Sequence, residues 1–118
     1  MPDSFPFSNK EMLSISKKHG TPVYAYDAQT IQKRCRELRT HFPGFSIFYA
    51  CKANNSPELM KLIRKEGIGV EMVSPGEIRA AQAAGYSKKD LSFTCSNLSL
   101  EDLRVAAHDA LELTFVDR

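Results

Sequence analysis

The sequence predicts an α/β fold built on a parallel sheet, and three observations carry that prediction. Short runs rich in aromatic and β-branched residues alternate with runs of helical period. The predicted strand ends fall near Lys52, Ser74, Cys95 and Val116, at steps of 22, 21 and 21 residues. Predicted helices open on capping residues, twice with proline behind the cap, and close on glycine. Strands alternating with helices at this pitch are βα units, which pair in parallel and cross over with right-handed sense. No residue identity accompanies the repeat, so it is architectural.

Taken in order, Ser8-Asn9-Lys10-Glu11 is a capping box that opens a helix ending at Gly20. Thr21-Pro22-Val23-Tyr24-Ala25-Tyr26 reads as a strand. Asp27 caps a second helix whose Ile31, Cys35, Leu38 and Phe42 form one apolar stripe. Phe45 to Cys51 reads as a buried strand that ends at Lys52. Ser56 and Pro57 start the next helix, Leu59, Leu62 and Ile63 line its apolar face, and Gly67 closes it. The strand Gly69 to Val73 follows, then a second capping box, Ser74-Pro75-Gly76-Glu77. The helix it opens presents Ile78, Ala81 and Ala84 and stops at Gly85. A third strand, Leu91 to Cys95, leads to a helix from near Ser99 carrying Leu103, Ala106 and Ala107. A fourth strand spans Leu113 to Val116. The expected division is residues 1–44 as an N-terminal extension of helix, strand and helix, and 45–118 as the βα strands.

A chain of 118 residues fits one domain at most. Lys and Arg number 16 against 14 Asp and Glu, and a net charge of +2 gives no case for nucleic acid or an anionic membrane as partner. The basic cluster Lys33, Arg34, Arg36 and Arg39 reads as the solvated face of a helix. Cys35, Cys51 and Cys95 are odd in number and lack C-x-x-C spacing, which argues against a metal cluster or a disulfide framework. The first residues lack the features of a signal peptide, and no apolar run approaches a membrane span. The expected setting is the reduced cytoplasm.

In a parallel sheet the chemistry collects at the carboxyl ends of the strands, and Lys52 stands at one. Counting by two, Ser46, Phe48, Ala50 and Lys52 share one face, with Ile47, Tyr49 and Cys51 on the other. Gly69, Glu71 and Val73 likewise oppose Val70 and Met72. If the apolar faces meet helices, Lys52 and Glu71 both point to the interior, where ionisable groups are costly unless paired or used. A desolvated lysine can act as a nucleophile. The plain alternatives are a lysine reaching solvent or an ion pair with Glu71. Glu77 is explained by its capping position, and Asn54, Asn55 and Asn97 by turns. His19, His41 and His108 lie near helix ends, where surface placement is the simpler reading.

Tyr49-Ala50-Cys51-Lys52-Ala53-Asn54 resembles the Y-A-x-K-A-N motif of the fold-type III pyridoxal-phosphate decarboxylases. Gly20 to Asp27 is similar to their G-T-P-x-Y-x-Y-D segment, and Gly67 to Ile78 to G-x-G-x-D-x-V-S-x-G-E. Phe93-Thr94 with Asn97 resembles F-T-x-x-N, and Phe115-Val116-Asp117 resembles the end of the following strand. Five segments in register cover nearly the whole chain. Within this family of ornithine, diaminopimelate and arginine decarboxylases, the diaminopimelate branch is the nearest likeness. Ornithine decarboxylases typically carry cysteine where Ala53 stands.

The resemblance implies the first half of an alanine-racemase-like (β/α)8 TIM barrel, with parallel strands preceded by a helix and a strand. It implies pyridoxal 5'-phosphate as cofactor, held covalently by Lys52, with Glu71 beside it and no metal. The implied reaction takes meso-diaminopimelate to L-lysine and carbon dioxide in a homodimer. Sibling activities on carboxynorspermidine, arginine or ornithine remain open, as does a non-catalytic, truncated or cofactor-binding role. One departure concerns the site: the family has Asp where Glu71 stands, one methylene shorter. The other is length, because whole family members are several times longer. The chain is therefore expected to be an N-terminal fragment, inactive alone.

Overall fold

A computed structural model of the chain describes residues 5–96, 99–108 and 113–117. Two helices come first, α1 at Asn9–His19 and α2 at Ala28–His41. Strands and helices then alternate: β1 at Phe48–Ala50, α3 at Pro57–Lys65, β2 at Gly69–Met72, α4 at Pro75–Ala83, β3 at Leu91–Ser96, α5 at Leu100–His108 and β4 at Leu113–Asp117. The strands form one sheet in the order β1-β2-β3-β4, every neighbour parallel. Phe48 pairs with Gly69, Val70 with Leu91 and Ser92 with Leu113, each a step of 21 residues. The predicted pitch is thus the register itself: each βα unit advances the chain by one strand with no stagger between rows.

Helix starts follow their capping chemistry. The Ser8 side chain accepts from the Glu11 N–H while the Glu11 carboxylate accepts from the Ser8 N–H at 2.8 Å, completing the box before α1. Asp27 accepts from the Gln29 and Thr30 amides at the start of α2. Ser56 and Ser74 cap α3 and α4, each followed by proline. These partners satisfy N–H groups that have no acceptor within the helix.

One face of the sheet carries the core. Cys51, Val70, Met72, Leu91 and Phe93 are buried there against Met60, Ile78, Ala81, Ala84 and Ala106 from the helices. The alternation read from the sequence therefore holds, with apolar rows toward helices and the Ala50–Glu71–Ser92 row on the other side. Gly69 stands on that other side, where an added Cβ would lie 2.7 Å from the Phe48 ring and 2.8 Å from the Asp90 carbonyl oxygen. A smaller cluster of Cys35, Ile63 and Ile68 joins α2 to α3, supported by Ile31, Ile47 and Leu59. Glu66 adds polar links, accepting from Gln32 at 2.9 Å through its carboxylate and from Arg39 at 3.0 Å through its carbonyl.

Three expectations need correction. Thr21 to Tyr26 is not a strand: the backbone has no ladder partner among the described residues, and Tyr24 is 90 % exposed. Its alternation resembles strand patterning, but an isolated run has no donors and acceptors to pair with, and Pro22 brings no N–H. β1 is shorter than Phe45 to Cys51, because β2 offers partners only from Gly69 onward, and Cys51–Ala53 winds into a 3-10 turn. The second capping box is only half formed. Ser74 accepts from the Glu77 N–H, but the Glu77 carboxylate accepts at 2.7 Å from Val73, whose N–H lies just past the end of β2.

Candidate active site

The site is built where β1 ends. Tyr49 points toward the helices, and its hydroxyl donates to the Asn54 carbonyl at 3.0 Å. The Asn54 side-chain oxygen accepts at 2.9 Å from the N–H of Ser56, the residue that caps α3. Cys51 is fully buried in the main core. The turn Cys51–Ala53 is therefore anchored on both sides, and Lys52 stands at its middle.

Lys52 is exposed, at the carboxyl edge of the sheet. The expectation of a lysine pointing into a dry interior is not met, because among the described residues no element covers that edge. Glu71 is half-buried on the uncovered face, paired in register between Ala50 and Ser92. Among the described residues Lys52 and Glu71 form no ion pair with each other or with a third group, so the salt-bridge alternative is not realised. Asn97 lies outside the described residues. His19 and His41 are exposed on the last turns of α1 and α2, away from the strand ends.

Sequence reasoning missed the group behind Lys52. Glu77 is 8 % exposed, and its carboxylate accepts from Val73 at 2.7 Å. Burial first, and then the Glu77 carboxylate, push the Cys51 thiol up to about 12. The strand alternation foretold a buried Cys51; nothing in the spacing foretold the carboxylate that raises it.

Pyridoxal 5'-phosphate needs a primary amine free to bond its aldehyde and room for a flat ring. Lys52 offers an amine that no carboxylate holds among the described residues. In the adjoining strands Ala50 and Glu71, both half-buried, pair in register, and Glu71 pairs with the buried Ser92. The Lys52 amine fits the aldehyde of the cofactor. Among the described residues no helix is long and apolar enough to cross a membrane.

Lys52 stands at the carboxyl end of a strand in a parallel α/β sheet, where such folds gather their chemistry. The chain belongs to the family described as pyridoxal-dependent decarboxylase, pyridoxal binding domain, whose sequence model matches residues 28–118. Members of that family are pyridoxal-phosphate-dependent decarboxylases, and the fold is the first half of their (β/α)8 barrel. The chain is 32 % identical to the diaminopimelate decarboxylase of Methanothermobacter thermautotrophicus, over 92 % of its own length and 26 % of that protein. It is 33 % identical to an L-glutamyl–acyl-carrier-protein decarboxylase of Niallia circulans, over 86 % and 24 %. The solved diaminopimelate decarboxylase of Helicobacter pylori, complexed with L-lysine, superposes with a TM-score of 0.82 at 28 % identity, covering 93 % of this chain and 28 % of that one. The chain thus spans about a quarter of the length of the curated relatives it matches.

Proposed function

We propose that the chain is the lysine-bearing part of a diaminopimelate decarboxylase, with Lys52 holding the cofactor and Glu71 lining its site. Residues 1–44 then form the extension and 45–118 the first strands of the barrel. The observation that supports the reading is the anchored turn at the end of β1, whose Lys52 is exposed and free of an ion pair among the described residues, with Glu71 one strand away in register with Ala50. Bound pyridoxal phosphate supplies an electron sink for the carbanion left when carbon dioxide departs. The chain's own part is to present the Lys52 amine as nucleophile and to set a carboxylate one strand away. Glu71 is the longer homologue of the family's Asp, so its carboxylate reaches further across the face.

The substrate assignment rests on relatives. Diaminopimelate decarboxylases recur among them, and one is complexed with L-lysine, the product of the proposed reaction. The sibling reading draws on the Niallia circulans relative, which acts on a different acid at comparable identity. Product analysis of the assembled decarboxylase on meso-diaminopimelate, carboxynorspermidine, ornithine and arginine separates the two readings.

Borohydride reduction of the chain with pyridoxal phosphate, followed by peptide mass analysis, is expected to label Lys52 ahead of the other lysines. Lys52→Ala should remove that label. A label centred on another lysine would refute the assignment.

A further inference from the structure

At the amino ends of the strands, opposite the Lys52 turn, lies an open cavity of about 220 Å³. Arg39, Ser46, Phe48, Gly69, Lys89 and Asp90 line it. Phe48 and Gly69 are the first residues of β1 and β2, and Asp90 directly precedes β3. Lys89 is exposed and has no ion pair or hydrogen bond among the described residues. Arg39 is anchored instead. Its Nη1 donates to the Glu66 carbonyl at 3.0 Å and lies over Gly67, where an added Cβ would come within 3.0 Å of it. The Glu66 carboxylate is met by Arg36 at 3.5 Å and by Gln32 at 2.9 Å, so Arg39 has no carboxylate partner among the described residues. The Asp90 carboxylate accepts from the Ser87 hydroxyl at 2.5 Å and pairs with neither cation.

We propose that this cavity binds a small phosphoryl oxyanion, held by Arg39 and Lys89 with the Ser46 hydroxyl as a further donor. Closing the end of α3 occupies one Arg39 nitrogen and leaves its Nε and Nη2 donors unused among the described residues. It also leaves unexplained a second cation on the same cavity. Two like charges sharing a cavity repel, and an anion between them replaces that repulsion with two attractions. A guanidinium fork and an ammonium give charge-assisted hydrogen bonds, which suit an anion with several acceptor oxygens. The volume lies below the roughly 300 Å³ at which pockets begin to take drug-sized ligands, so it suits a phosphate group and not a nucleotide. Asp90 opposes an anion and keeps the site weak. The cavity is remote from the strand ends that carry Lys52, so this site stands or falls independently of the role proposed for that residue.

Equilibrium dialysis of the full chain against radiolabelled inorganic phosphate, with ionic strength held by chloride, is expected to show one saturable site. Arg39→Gln and Lys89→Gln should each weaken it by about tenfold. Asp90→Asn should tighten it by about threefold. Lys61→Gln removes an exposed charge outside the lining and should leave the affinity unchanged. Phosphate should also slow acetylation of Lys89 relative to its exposed neighbour Lys88, which lies outside the lining. Competition by glycerol 3-phosphate would assign the site to phosphate monoesters as well, and its absence to the free ion; either supports the site. Binding that never saturates, equal losses in Lys61→Gln and Lys89→Gln, or equal protection of Lys88 and Lys89 overturns the proposal. Should Arg39→Gln fail to fold, Lys89→Gln decides, because Lys89 has no contact to lose: wild-type affinity in that variant overturns the proposal.

Discussion

At the scale of single residues, the chain buries the Cys35 and Cys51 thiols and leaves the Lys52 side chain exposed. Cys51 keeps its proton because burial and the Glu77 carboxylate both disfavour a thiolate, which moves its titration up to about 12. Burial, helped by Glu66, raises Cys35 as well. Raised values stabilise the fold fully below the ordinary thiol range, and the contribution is lost as pH rises through the folded value, because the unfolded chain gives up its proton first. Urea midpoints should therefore fall progressively from about pH 9. The fall should be shallower in Cys51→Ser, whose hydroxyl does not titrate there; equal slopes would show that the thiol is not the titrating group. The sequence made half of this legible. Alternation along Phe48 to Lys52 separated a core-facing Cys51 from an outward Lys52, but the carboxylate that raises Cys51 comes from 26 residues downstream. Only the fold brings Glu77 there, and its capping position gave it a sufficient local explanation.

At the scale of elements, legibility depended on whether local chemistry or a partner decides the outcome. α1, α3 and α4 begin where their caps stand, since the capping oxygen and the amide it satisfies are three residues apart. The 21-residue register was readable because each βα unit has nearly the same length. Thr21 to Tyr26 was misread because a strand needs a neighbour, and side-chain alternation carries no information about one. α1 and α2 differ in the same way. α1 buries no residue, whereas α2 sets Cys35 into the cluster with Ile63 and Ile68. α1 therefore depends on its capping box: Ser8→Ala should abolish its amide-exchange protection while leaving that of α2 intact. α2 has its own acid-sensitive end, since hydrogen bonds from Thr30 and the backbone hold the Asp27 carboxyl below its ordinary value. A lowered value stabilises above the unfolded value and is lost as pH falls through the folded one. The Gln29 and Thr30 amides should thus lose protection as pH drops below about 4. Protection unchanged down to the acid limit would contradict the cap.

At the scale of the whole molecule, the sheet is covered on one face only. The core lies between the strands and α3, α4 and α5. On the opposite face Ala50 and Glu71 are only half-buried, while the small Ser92 between its neighbouring strands is 5 % exposed. Leu38, Phe42 and Phe45 extend the apolar surface along α2 and beyond it, at 45 %, 51 % and 75 % exposure. The radius of gyration is 16.8 Å, against about 13.5 Å for a compact domain of this length. Outer strands offer unpaired backbone groups, and a four-stranded parallel sheet lacks the closure that removes such edges in a full barrel. Surfaces of this kind associate. The isolated chain is therefore expected to bind a hydrophobic dye and to self-associate with rising concentration, seen by light scattering coupled to size exclusion. It is also expected to unfold over a broad range, because a core closed on one side gives weak cooperativity. A compact monomer with one sharp melt and no dye binding would mean that the uncovered face is stable in water, and the half-barrel reading of this chain would then fail.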